Sequence, residues 1–343
     1  MTRAGAPGGA GLRNLALEAV WLSGSPLLLG RLLGGAGVIL RFTRVRPPPP
    51  GFHPDIAAEI TPRQLDRLLR ALRRWGLDLV AMDEAMRRLA TPGARRFAVL
   101  SFDGGYRDLV QHALPVLKAR QAPFIAYLPT GFVDGIAPMW WLLLADVIGR
   151  HARISLRMEG NDHHFAVDGR REKLELHGAL VDWMRGLSPD QRAEALTDLG
   201  RRYGSDAMAL TRAAALGWDD VQLLAAEPLA TLGSATVHYP ALATLKDAAA
   251  LREISMGRQV LEAALGRPAP HLAYPFGDAA AVGRRITRLA EQAGFASAAT
   301  AQPRVVARNA APEALPRLSY DRRRSLRALR VLVAGIGGEG AAR

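Results

Sequence analysis

The chain has 343 residues, 49% of them apolar, enough for one large barrel or two smaller domains. It contains no cysteine, which excludes disulfides and thiolate metal sites, so any metal would need His, Asp or Glu. The formal net charge is +13 and is almost all arginine, with lysine only at Lys118, Lys173 and Lys246. Such an excess suggests a polyanion or membrane partner, or simply a GC-rich genome that spells its basic residues as Arg. No basic run is interleaved with aromatics as a stacking platform would require, so nucleic acid is not expected.

In chain order, residues 1–11 are rich in Gly, Ala and Pro and read as unstructured. Asn14 to Leu22 reads as a helix with Leu15, Ala19 and Leu22 on one face, and Leu27 to Leu33 as a second short helix. The apolar patches up to Leu40 are broken by Glu18, Arg31 and a Ser-Gly-Ser-Pro turn. They fit neither a membrane span nor a signal peptide, and peripheral membrane attachment stays open. Val38 to Phe42 is a strand, and Pro47 to Pro50 a stiff polyproline segment. Thr61-Pro62 opens a helix whose apolar face is Leu65, Leu68, Leu69 and Leu72. Leu77 to Met82 is the next strand, and Asp83 begins a helix through Leu89.

Phe97-Ala98-Val99-Leu100-Ser101-Phe102-Asp103-Gly104-Gly105-Tyr106 follows. An apolar run that ends in a carboxylate and two glycines is a buried strand running into a tight turn. A carboxylate there is held rigid by the strand, with room beyond it for a ligand. His112 to Arg120 is a helix and Pro123 to Leu128 a strand, giving a βαβ crossover and parallel pairing. Gly131 to Gly135 is a loop, and Met139-Trp140-Trp141 opens an apolar helix. The two tryptophans are either a sugar platform or loop-packing residues. Ile154 to Phe165 with Asp168-Gly169 is a hairpin, Ser188 to Tyr203 a capped helix, and Trp218-Asp219-Asp220 the start of another. Leu229 to Ser234 is a strand and turn, Leu245 to Leu265 a long helix, and His271 to Gly277 a strand plus turn. A helix over Ile286 to Ala293 and a strand over Phe295 to Ala299 follow. Leu315 to Leu318 is extended, before a basic helix from Arg322 to Val333. The alternation argues for an α/β barrel or open sheet.

Four segments resemble the polysaccharide deacetylases, the NodB homology family: residues 38–47, Ser101–Tyr106, residues 232–242 and Ala273–Gly277. The family's first motif usually reads Thr-Phe-Asp-Asp-Gly-Tyr. Its early segment often reads Phe-His-Arg-Val-Arg-Pro, where this chain has Phe42-Thr43-Arg44-Val45-Arg46-Pro47. The resemblance implies an irregular (β/α)7 barrel over residues 36–320, with 150–215 as an insertion. Residues 1–35 would form an extension and 321–343 a basic helix and tail. It also implies metal-dependent removal of acetyl groups from glycans such as chitooligosaccharides. In that chemistry one Asp and two His hold zinc, the ion activates a water, and a second Asp is the base.

Carried over residue by residue, Asp103 takes the base position and Gly104 the position of the metal Asp. The family's Gly-X-His-Thr-X-X-His-Pro falls on Gly233 to Pro240, so Ala235 and Tyr239 stand where the two histidines belong. Thr236 is kept, and His238 sits one residue early. No histidine follows His271, so the family's late general acid has no counterpart. Tyr106, Tyr274, Pro275 and Phe276 correspond to residues that line the sugar groove.

Two readings remain: a deacetylase that keeps activity, with a site rearranged around Asp103, His238 and Asp219 or Asp220, or a non-catalytic glycan-binding or regulatory protein on the same barrel. Loss of the ligands favours the second, with Asp103 vestigial and either capping the turn or ion-paired, for instance with one of the many arginines. No cofactor is then expected, and zinc or another divalent metal only in the rearranged site. The expected partner is a glycan, with weak membrane-surface association left open through arginines such as Arg322, Arg323, Arg324, Arg327 and Arg330. A cytoplasmic location, peripheral to the membrane at most, is the corresponding expectation.

Overall fold

The computed structural model describes residues 7–24, 30, 33–54 and 58–337. After helix α1 (Pro7–Leu22) come strands β1 (Gly37–Phe42), β2 (Arg44–Val45) and β3 (Glu59–Ile60), helix α2 (Pro62–Arg74), strand β4 (Asp78–Leu79) and helix α3 (Met82–Ala90). The central strand β5 (Phe97–Asp103) leads through a π-helical turn into α4 (Leu114–Ala119) and β6 (Phe124–Leu128). Then follow α5 (Thr130–Val133), α6 (Trp140–Arg150), the hairpin β7 (Arg153–Met158) and β8 (Asn161–Ala166), and helices α7 (Arg170–Gly186), α8 (Pro189–Tyr203), α9 (Ala207–Ala214) and α10 (Trp218–Ala225). The last third holds β9 (Ala230–Ser234), α11 (Asp247–Leu265), β10 (His271–Ala273), α12 (Arg284–Gln292), β11 (Ser297–Ala299), β12 (Leu318–Ser319) and α13 (Leu326–Val333).

The main sheet is parallel throughout, in the order β11-β10-β9-β6-β5-β1-β12, with β4 beside the start of β5. The segment Leu315–Ser319 closes it. The Leu315 amide donates to the Ala298 carbonyl at 2.9 Å and its carbonyl accepts from Thr300 at 2.8 Å. Three residues later Leu318 pairs with Leu40 of β1. Seven strands therefore curl into the (β/α)7-type barrel that the sequence implies.

Strand parity sorts the residues. Ala98, Leu100 and Phe102 of β5 pack outward beneath the helices, together with Val38, Leu40 and Phe42 of β1. Phe97, Val99, Ile39, Ile125, Tyr127, Ala273 and Leu315 form a second cluster in the interior. Arg41, Ser101, Asp103 and Arg317 share the inward parity, at the ends where the strands open into loops. Gly233 reads as part of a turn but lies inside β9; a Cβ there would come within 2.8 Å of the Tyr127 ring. Tyr127 thus fills the barrel where Gly233 leaves room.

The expected helix caps are present: Thr61 accepts from the Gln64 amide and Ser188 from Gln191, each in a capping box with Pro following. Several expectations need correction. The strand expected over Leu77–Met82 shrinks to β4, since Met82 already starts α3. Thr130–Val133 is a helical turn rather than a loop. Pro7–Gly11 belong to α1, whereas residues 1–6 and most of Leu27–Leu33 lie outside the described residues. The face Leu15, Ala19, Leu22 points to solvent; among the α1 side chains described, Leu17 is the one buried in the core. The basic helix begins only at Leu326, capped by Ser325, so Arg322, Arg323 and Arg324 precede it. Its Ala328, Leu329, Val331 and Leu332 are buried, so it is an amphipathic packing helix. Residues of α6, β7, α7 and α8 share a hydrophobic cluster of their own.

Candidate functional site at the barrel mouth

Asp103 is the last residue of β5 and faces inward, where burial without partners would be costly for a charge. Its partners are two arginines. Arg317, with no exposed surface, forks onto it through Nη1 to Oδ1 at 2.7 Å and Nη2 to Oδ2 at 2.9 Å. Arg41, from β1, adds Nε to Oδ2 at 2.8 Å. Arg317 is itself fixed: its Nε donates to the Thr300 carbonyl at 2.7 Å, and its guanidinium lies 5.5 Å from the Tyr127 ring centroid. Burial alone would raise the Asp103 pKa, but Arg317 and Arg41 outweigh it and hold the carboxyl below the ordinary range.

This geometry fits neither of the roles that a metalloenzyme would ask of the mouth. A general base needs a lone pair aimed at water and a pKa near working pH. Asp103 has both oxygens engaged by cations and a depressed pKa. A divalent ion would meet two guanidinium cations already seated on the carboxylate. Among the described residues no group of three His, Asp or Glu side chains is placed to hold a metal. The donor set is therefore wrong for the ion. Gly104 adds a backbone reason: its φ is +89° and a Cβ would lie 3.1 Å from the Tyr106 ring, so the turn is shaped for glycine.

The rearranged site does not assemble. His238 is 53% exposed and turned outward, with Nδ1 2.6 Å from Oε1 of Glu253. The other Glu253 oxygen accepts from the amides of Val237 and His238. That hydrogen bond raises the His238 pKa. Asp220 closes the start of α10 by accepting from the Gly217 amide and pairs with Arg107. Asp219 is exposed. His271 is buried between Ser297 and Asp83 at the opposite end of β10, and burial lowers its pKa.

Aromatic residues form the rest of the mouth. The Tyr239 ring lies 5.3 Å from Phe276, 5.8 Å from Phe132 and 5.9 Å from Trp141. Trp141 Nε1 donates to the Tyr106 hydroxyl at 2.7 Å, and the Arg44 guanidinium sits 4.5 Å from the Tyr106 ring centroid. Burial pushes the Tyr106 hydroxyl up to about 12 and raises that of Tyr239, to which the Asp103 charge adds. Phe276 has φ +61° at the centre of a turn closed by Gly277 N donating to the Pro275 carbonyl at 2.7 Å. A γ-turn of that hand is rare and strained. Thr236 (φ +69°) and Tyr239 (φ +55°) are also left-handed. Three such residues stand beside one mouth, and backbone strain of this kind tends to cluster at ligand sites.

Of the expected groove residues, Tyr106 and Phe276 are brought to this cluster and Pro275 is buried in its turn. Tyr274 is not: strand parity sends it outward into the packing beneath α11 and α12, where its hydroxyl donates to the Glu313 carbonyl at 2.8 Å. Tyr274 thus supports the groove from behind. Arg41 and Arg317 were missed in the sequence. The available signal was Arg41's inward parity with Ile39, which demands a buried counter-charge. A second missed network stands at the rim. Buried Glu59 accepts from Arg46 Nε at 3.1 Å, lies 2.8 Å from His53 Nε2, and is also bonded by Arg322. Asp108 accepts from Arg44 Nε at 2.7 Å. Both arginines of Thr43-Arg44-Val45-Arg46-Pro47 are therefore structural ion-pair partners.

A sequence model of the family described as polysaccharide deacetylase matches residues 181–298, which include the Gly233–Pro240 and Ala273–Gly277 segments. The fold is that of the polysaccharide deacetylases. The structure is similar to deacetylase PplD of Streptococcus pyogenes (TM-score 0.56, 14% identity, 87% of this chain and 97% of that one). It is comparably similar to IcaB of Ammonifex degensii (0.55, 18%, 88% and 98%) and to a de-N-acetylase of Aggregatibacter actinomycetemcomitans (0.55, 13%, 86% and 98%). No curated protein matches the sequence. At these identities the shared property is the fold.

Proposed function

We propose that this deacetylase-fold chain binds a glycan of the chitooligosaccharide type at its barrel mouth without hydrolysing it. One observation carries the reading: the carboxylate at the base position is fully engaged by Arg317 and Arg41. Gly104, Ala235 and Tyr239, at the positions where the family keeps its metal ligands, support it. So do the half-buried rings of Trp141 and Phe276, the latter with the Arg185 guanidinium over one face at 4.4 Å from its centroid, since a flat apolar ring suits a sugar face. A protein that recognises acetylated glycan in this way is a binding or regulatory relative of the deacetylases.

The test is calorimetric titration of the full chain with N-acetylated chitooligosaccharides. Binding is expected, weakened about ten-fold in Trp141→Ala or Phe276→Ala, the loss of roughly 1.4 kcal/mol of ring contact. Absence of glycan binding, or affinity indifferent to both substitutions, would remove the mouth as the binding site.

A further inference from the structure

Two features far apart in sequence form one surface. Helix α1 packs beside α13, with the Arg327 guanidinium 4.8 Å from the Trp21 ring centroid. With Leu17 buried in the core, the other side of α1 presents Leu15 (65% exposed) and Leu22 (73% exposed), with Ala16 and Ala19 between them. The spacing is that of one helical stripe. Glu18, on the flank of this stripe, lines a cavity of about 560 Å³ together with Gln64, Arg67, Arg323, Arg324 and Arg327. Arg67, Arg323 and Arg327 are exposed there, and Arg324 is anchored by donating to the Ser319 carbonyl at 3.0 Å.

We infer that this face docks on an anionic phospholipid surface, with the leucine stripe entering the interface and the arginines meeting headgroup phosphates. A leucine stripe flanked by cations is the pattern of a helix that lies in a membrane interface. Charge complementarity selects this occupant. A second copy of the chain would bring its own arginines and a net charge of +13 against like charge. A nucleic acid would leave the leucines without a role, and the nearest ring, Trp21, is already covered by Arg327. No helix among the described residues is long and apolar enough to cross a membrane, so the contact lies along the surface.

The experiment is co-sedimentation of the full chain with vesicles of phosphatidylcholine, alone or mixed with phosphatidylglycerol. Binding is expected to the mixed vesicles only and to fall with added salt. The double variant Arg67→Glu, Arg323→Glu should lower the partition coefficient at least about ten-fold. Leu15→Ser, Leu22→Ser should lower it comparably without shifting the melting temperature, because both side chains are already exposed. Equal binding to neutral vesicles, or binding that neither double variant reduces, overturns the inference. So does a dimer in light scattering that dissolves on Leu15→Ser, Leu22→Ser while vesicles are ignored, which would assign the face to a second copy.

Discussion

On the side of the mouth built by β1, β2, β3, β5 and β12, carboxylates and arginines saturate one another: Asp103 with Arg317 and Arg41, Asp108 with Arg44, Glu59 with Arg46 and Arg322. On the side built by the loops after β6, β9 and β10, rings meet rings, with Tyr239 amid Phe132, Trp141 and Phe276. The first side has the charges that chemistry would need, but each is held by a counter-charge. The second keeps apolar faces that a ligand can cover. The difference separates the two parts of an enzyme's task. Under the proposed reading, binding needs only shape and surface, whereas catalysis requires a group left unsatisfied until substrate arrives.

The largest effect should come from the charged side. In Asp103→Asn, Arg317 stays buried with no counter-charge, which costs about 3–5 kcal/mol. Urea unfolding measures it. A free catalytic base would show the reverse, lost turnover with little change in stability.

Acid should act next, through Glu59. Burial raises its pKa, but the hydrogen bonds from His53 and Arg46 outweigh this and bring it to about 2, below the ordinary 4.5. A depressed carboxyl stabilises the fold fully above its unfolded pKa and loses that contribution as pH falls toward its folded pKa. About 3 kcal/mol should therefore disappear between roughly pH 5 and pH 2. Asp103 acts with the same sign below its own unfolded value. In Glu59→Gln the stability measured at neutral pH should drop and the slope in that window should flatten.

Gly104→Asp, the substitution that would restore a ligand side chain, should cost about 1–2 kcal/mol for a left-handed backbone. It should not create zinc affinity, which equilibrium dialysis would read. The smallest effect belongs to His238→Ala. A pair whose histidine is half-exposed contributes under about 1 kcal/mol, visible as at most a small shift in the urea midpoint. A loss larger than that of Asp103→Asn would reverse the contrast between rim and interior.

Much of the frame was legible because it rests on local signals. Thr61-Pro62 and Ser188-Pro189 announce their helices, and the run Phe97–Asp103 with its glycines announces a strand end. The placing of Ala235 and Tyr239 at the family's ligand positions rests on counting from Gly233 and Pro240, and that of Gly104 on the Ser101–Tyr106 motif. What fills the mouth was not, because Arg41 and Arg317 lie 62 and 214 residues from Asp103 and meet it only when the barrel closes. Tyr274 misled for a related reason: with a period of two, its neighbour in sequence faces the opposite side of the sheet. Leu15, Ala19 and Leu22 form a regular apolar stripe, but Leu17 packs inward instead, since periodicity marks a face without saying what covers it.

The central claim is that the mouth is closed to metal-dependent hydrolysis. It is tested most directly by acetate release from N-acetylated chitooligosaccharides with added zinc, before and after a chelator. The account predicts no release above the uncatalysed background in either condition. Chelator-sensitive turnover that disappears in Asp103→Asn would contradict it and return Asp103 to the role of base.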